Sequence, residues 1–167
     1  PHLLPEAEKY EYMKRYNHDG GVNVAYQLAV HMARRGHEVS VFSTSITSQD
    51  SVKELEGVEV HRYGTNFKFE SINFSFHLWR MTLPHPLDLI HFHVIHPVAE
   101  MAALRHIKGD VPAVLTYHGD PQPSFGSLKR RAMVYLYTKL LLPRALSRAR
   151  VIISPSRHFF TQSRFLS

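Results

Sequence analysis

Apolar and polar positions along the chain alternate between two periods. Ala25, Leu28, Ala29 and Met32 recur at helical spacing across 21–35, and Gly36 stops that pattern. The next run, HEVSVFST (37–44), is β-branched and apolar and reads as a strand. VEVHRY (58–63), introduced by Gly57, shows an alternation that predicts a second strand. The aromatic-rich segment 73–83 predicts a helix ended by Pro84 and Pro86. The rhythm then repeats. LDLIHFH (87–93) is a strand, 97–107 a helix closed by Gly109, and AVLTYH (113–118) a strand followed by the loop GDPQPSFG. A long helix starts near Ser127 and breaks at Pro143, RVIIS (150–154) is a last strand, and Ser156 is placed to cap a final helix.

Strands that are apolar on both faces and separated by helices indicate a parallel sheet covered on both sides. The predicted fold is α/β and doubly wound, a mostly parallel sheet with helices on both faces, in one domain over 1–167. Such a sheet normally opens with a strand feeding its first helix, and the first 20 residues carry no strand pattern and no initiator Met. The expectation is an excised domain whose first strand is missing or truncated.

Composition narrows the function classes. The 167 residues are 44% hydrophobic with 10 Phe and 8 Tyr, enough for a sizeable core. The absence of cysteine excludes a disulfide scaffold, a Cys-ligated zinc module and a cysteine nucleophile. No apolar run approaches the roughly 20 residues of a membrane span. The net charge of +6 is unevenly placed: residues 1–120 hold all 14 acidic residues against 11 Lys and Arg, while 121–167 hold nine Lys and Arg and no acid. The basicity belongs to one segment, centred on 129–150. Lys129, Arg130 and Arg131 occupy the first turn of the long helix, where the dipole disfavours cations. That segment could meet an anionic lipid surface or an acidic second domain. Nucleic acid is a weaker reading, since no recognised nucleic-acid motif accompanies it.

Two groups of residues could carry chemistry. Asp19-Gly20-Gly21 opens the first helix, where free N–H groups and the dipole favour an anion and glycine lets a phosphate approach. The same pair serves equally as a flexible cap, and no third glycine completes a dinucleotide fingerprint. The second group is histidine-rich. His91 and His93 share one face of their strand, and His96 begins the next helix. His91 reads as a satisfied core residue and His93, nearer the strand end, as a cleft residue. A metal-dependent hydrolase using His91, His93 and His118 with Asp120 is the sharp alternative, because a His-x-His pair at a strand end can ligate zinc.

Several stretches together resemble one known family. GGVNVAYQLAVHMARRGHEVSVFST is similar to the opening of the N-terminal domain of family 4 glycosyltransferases, where a Gly-Gly loop enters a helix and Arg-Gly-His-Glu-Val leads into a strand. DLIHFH (88–93), PAVLTYHGD (112–120) and ARVIISPS (149–156) resemble later strands of that domain in the expected order. The resemblance spans roughly 19–156. It implies half of a GT-B enzyme, two Rossmann-like domains facing across a cleft, moving a hexose from a nucleotide-sugar donor to an acceptor with retention of configuration. This half would shape the acceptor side, for a sugar or lipid-linked acceptor, and a C-terminal domain outside this sequence would hold the donor. Gly20 and Gly21 would lie near the donor diphosphate and His118 near the transferred sugar as the catalytic group. His93, Gly119 and Asp120 would line the substrate, Gly119 by allowing close approach to the backbone.

No cofactor beyond the donor and no protein-held metal is implied, and the place is cytoplasmic or at the inner membrane face. A non-catalytic sugar- or nucleotide-binding module is the remaining alternative. Two positions depart from the pattern: Arg150 stands where an acidic residue usually precedes the closing strand, and Asn17-His18-Asp19 replaces a common proline. The family's Arg/Lys pair and paired glutamates belong to the other domain, so this domain alone is expected to be inactive.

Overall fold

A computed structural model describes residues 20–70, 72–83, 86–94, 97–107, 111–122 and 126–166. Asp19, His96 and the segment before Gly20 lie outside the described residues. Helix α1 (Gly20–Ala33) leads into strand β1 (Val39–Thr44), and β2 (Ser51–Leu55) and β3 (Val58–Tyr63) follow. β1 pairs parallel with β3 from Val39↔Val58 to Thr44↔Tyr63, and β2 pairs antiparallel on the other side of β3. The β2–β3 turn places Glu56 (φ 51°) and Gly57 (φ 80°) both in the left-handed region, as a two-residue hairpin of the primed type requires. β2 was not legible beforehand, because SVKEL is mostly polar and exposed and lacks an alternating face.

α1 covers this sheet through Ala29 and Val30 against Val58 and Val60, with Tyr26, Ala33, Val39, Val41 and Leu55 around them. Glu56 fastens the helix by accepting from Tyr26 Oη (2.9 Å) and pairing with Arg34 (2.5 Å). The last turn of α1 therefore lies at the amino end of β3, and the helix runs antiparallel to the strand. Its 14 residues and the six of β3 both span roughly 20 Å.

Residues 73–83 are not one helix. A hairpin of β4 (Phe67–Phe69) and β5 (Ile72–Phe74) comes first, and Ser75 then caps the short helix α2 (Phe76–Arg80) by accepting from the Leu78 N–H. The aromatic residues stack with each other, Phe67 on Phe74 at 4.7 Å, which favours the pleated arrangement.

The second half matches the sequence reading more closely. β6 (Ile90–Val94), α3 (Pro97–His106) and β7 (Ala113–Tyr117) are followed by α4 (Leu128–Leu136), α5 (Leu142–Arg148), β8 (Val151–Ile153) and α6 (Arg157–Gln162). These three strands are all parallel, in the order β6-β7-β8. Among the described residues the strands thus form two parallel-containing groups, with β1 and β6 at their edges, and the hairpin.

Ile90, Phe92, Val94, Leu115, Tyr117, Leu142 and Ala145 form the principal core. A further cluster joins the halves, bringing Phe42 and Tyr63 against Leu78, Val98 and Ala102. Pro143 does not end the long helix. A π-helical turn (Tyr137–Leu141) links α4 to α5 and sends the Leu142 N–H to the Tyr137 carbonyl. The wider turn carries the chain past a residue that has no N–H to donate.

Candidate functional site

Strand alternation sends Ile90, Phe92 and Val94 into the core and His91 and His93 to the opposite face, where both are half-buried. The parallel register sets His93 beside Thr116 of β7, and His118 follows just beyond the end of that strand. The three imidazoles stack into a column. His91 and His93 are 4.7 Å apart between ring centres at 13°, and His93 and His118 are 5.3 Å apart at 23°.

Hydrogen bonds fix this column in two places. His91 Nε2 lies 2.7 Å from Thr116 Oγ1, and His93 Nδ1 lies 3.0 Å from His118 Nε2. In the second bond one ring must donate and the other accept, so a single proton is held between them. Burial lowers the pKa of His91, with the nearby His118 adding to the effect. Burial, then the positive charge His91 and His118 would carry, pushes His93 down to about 3. His91 and His93 are thus neutral at pH 7, and a neutral imidazole can donate or accept to a sugar hydroxyl.

The two residues after His118 contact α6 and the segment that follows it. Gly119 has φ +150°, and a Cβ there would come within 3.1 Å of Phe159 Cε1. Its nearest neighbour in the fold is thus a side chain from α6. Asp120 is held by three donors: Tyr117 Oη (2.8 Å) and Ser163 Oγ (2.6 Å) on Oδ1, and the Arg164 N–H (2.8 Å) on Oδ2. Burial opposes the charge on Asp120, but these bonds prevail and hold its carboxyl below the usual range. Burial, reinforced by the bond to Asp120, raises the Tyr117 phenol.

Gly20 is exposed, with nothing among the described residues within 4 Å of where a Cβ would be, while Gly21 is buried. Among the described residues, packing therefore does not demand glycine at position 20.

The structure brings His91, His93 and His118 together. The zinc alternative finds little support in their bonding, since His91 Nε2 faces Thr116, the facing nitrogens of His93 and His118 engage each other, and Asp120 is taken by three donors. Among the described residues no three His, Cys, Asp or Glu are placed to hold a metal ion.

Thr116 and Ser163 were missed by sequence reasoning. Both are buried polar residues; Thr116 stands out in the apolar run AVLTY, whereas Ser163 lies among Thr161, Gln162 and Arg164 and gave no such signal. Two loops flanking this region are also joined, because Ser127 Oγ donates to Glu70 Oε1 at 2.6 Å while capping α4 through the Arg130 N–H. Arg130 reaches back to the Gln122 carbonyl at 2.9 Å. That contact offsets the dipole's dislike of a cation at this helix start.

The family model described as Glycosyltransferase Family 4 matches residues 18–162. No curated protein and no solved structure matches the chain.

Proposed function

The chain belongs to glycosyltransferase family 4, and from that premise we propose that it forms the acceptor-side half of a retaining hexosyltransferase. The observation that carries this reading is the His93–His118 pair at the carboxyl ends of the adjacent parallel strands β6 and β7. Ligands of open α/β sheets bind at that end of the strands. In this reading His118 is the catalytic group. Its imidazole bonds a hydroxyl of the transferred sugar and stabilises charge that develops at the anomeric carbon. Gly20 and Gly21 present the start of α1 to the donor diphosphate, which the helix dipole favours. A second domain supplies the nucleotide site, and no metal or cofactor beyond the nucleotide sugar takes part.

Asp120 has a different place in this proposal from His93 and Gly119. With both oxygens engaged by Tyr117, Ser163 and Arg164, it shapes the loop that carries His118 and contacts the acceptor only through that loop. The protein works in the cytoplasm, and its basic segment lies against the anionic inner face of the membrane. The observation favouring that placement is the exposure of Leu128, Tyr135, Leu136 and Leu140 among Lys129, Arg131, Lys139 and Arg144.

The test is transfer by the complete protein from a panel of nucleotide hexoses to sugar and polyprenyl-phosphate acceptors, with the product's anomeric configuration read by NMR. His118→Ala is expected to lower kcat about 100-fold or more while binding of the nucleotide persists. Inversion of configuration, or full activity of His118→Ala, would refute the proposal. The domain alone is expected to transfer nothing.

A further inference from the structure

We propose that His93 is a positioning residue: the bond from its Nδ1 to Nε2 of His118 sets the orientation and the single tautomer in which His118 meets its substrate. The inference rests on the reading of His118 as the catalytic group, and it gives His93 a role distinct from touching substrate.

A neutral imidazole carries its proton on one nitrogen, and the choice decides whether the opposite nitrogen donates or accepts. His118 spends Nε2 on His93, 3.0 Å away. One proton sits between the two rings, so the tautomer of one fixes that of the other. With His93 neutral, the shared proton ties the two tautomers together. The half-buried place of His93 between two other imidazoles disfavours a charge there.

His93 is itself held from behind. His91 stacks on it at 4.7 Å, and His91 is anchored by the 2.7 Å bond between its Nε2 and Thr116 Oγ1. The anchor and the column stand on β6 and β7, whose in-register pairing fixes the spacing of all three rings. His118 stands just beyond β7 and before a glycine with φ +150°, and the column restrains it from the strand side.

Three substitutions separate positioning from simple packing. His93→Phe keeps an aromatic ring in the stack and loses the bond. His93→Asn keeps a hydrogen-bonding group near the position of Nδ1, whereas His93→Gln carries its amide to the position of Nε2. In the wild type, 15N shifts of His118 should show one protonated and one bare nitrogen. His93→Phe and His93→Gln should give averaged shifts, and His93→Asn should restore the separated pair. In the complete protein, His93→Phe should lower kcat about 10- to 100-fold with KM within about twofold. His93→Asn should recover most of that loss.

Unchanged 15N shifts in folded His93→Phe and His93→Gln would overturn the proposal, as would equal activity of the Asn and Gln variants. The functional reading fails separately. If His118→Ala transfers as well as the wild type, His118 is not catalytic, while the shifts still report whether His93 holds its tautomer.

Discussion

Ser163 donates to Asp120 across 43 positions of sequence, with Oγ and Oδ1 2.6 Å apart. The next residue, Arg164, adds its backbone N–H to Oδ2 at 2.8 Å, and Ser163 Oγ also accepts from the Phe165 and Leu166 N–H groups. One carboxylate thus ties the end of α6 to the loop beyond β7, immediately after His118. Ser163→Ala removes a charge-assisted bond and should destabilise the fold by about 1.5–3 kcal/mol in urea titrations. The fold lowers the Asp120 carboxyl, so its contribution is present above the ordinary carboxyl range and is lost as pH falls through the folded value. The acid limb of stability should be shallower in Ser163→Ala. Equal acid slopes in the two proteins would remove Asp120 as the latch.

Gly119 and Phe159 form a second tie between the same segments. The φ of +150° lies where residues with a Cβ are rare, and the Cβ itself would crowd Phe159 Cε1 at 3.1 Å. Phe159 is about half exposed and its ring can swing aside, so the backbone conformation is the larger obstacle. Gly119→Ala should cost about 1–3 kcal/mol of stability. Adding Phe159→Ala should recover little of that cost. Full recovery in the double variant would mean that crowding, and not the backbone, dictates glycine here.

The site was half legible in the sequence, and the boundary follows a physical line. Strand periodicity placed His91 and His93 on one face, and order along the chain placed His118 at the end of a strand. What periodicity cannot give is register across strands, and register is what brings His93 to Thr116 and His118. Asp120, a carboxylate after a Thr-x-His-Gly stretch, reads as a ligand group in the sequence, which gives no sign that Ser163, 43 residues on, bonds it. The same limit applies to the fold. β6, α3 and β7 announce themselves through apolar runs, whereas β2 exists because a tight Glu56–Gly57 turn returns a polar strand to β3.

Glu100 carries a carboxyl into the interior of the domain. Its residue is 1% exposed, Oε2 accepts from Tyr137 Oη at 2.8 Å, and Oε1 has no partner among the described residues. Burial raises its carboxyl to about 7, opposed by the Tyr137 bond. Burial also raises the phenols of Tyr137 and Tyr117, so both stay neutral in this range. An unfolded glutamate ionises near pH 4.5 while the folded one keeps its proton, so stability from this group falls as pH rises from about 4.5 to about 7 and is flat above. The span is of the order of 3 kcal/mol. Glu100→Gln keeps the acceptor for Tyr137 and cannot ionise, so it should gain on the wild type through that window. Parallel stability curves for the two proteins between pH 4.5 and 8 would show that Glu100 is not the titrating group.

The basic segment gives the last prediction. Leu128 is 78% exposed at the start of α4, and Tyr135, Leu136 and Leu140 are exposed further along the same helical run. Lys129, Arg131, Lys139 and Arg144 lie exposed among them, an arrangement suited to an interface where apolar groups enter and cations meet headgroups. Among the described residues no helix is long and apolar enough to cross a membrane, so contact would be at the surface. The protein should sediment with vesicles containing phosphatidylglycerol and remain in solution with pure phosphatidylcholine. Binding should weaken steeply with salt, because it depends on cations near a charged surface. Lys129→Glu with Arg131→Glu should abolish it without unfolding the domain, as both side chains are exposed. Equal recovery in both supernatants would instead leave the acidic face of a second domain as the partner of this segment.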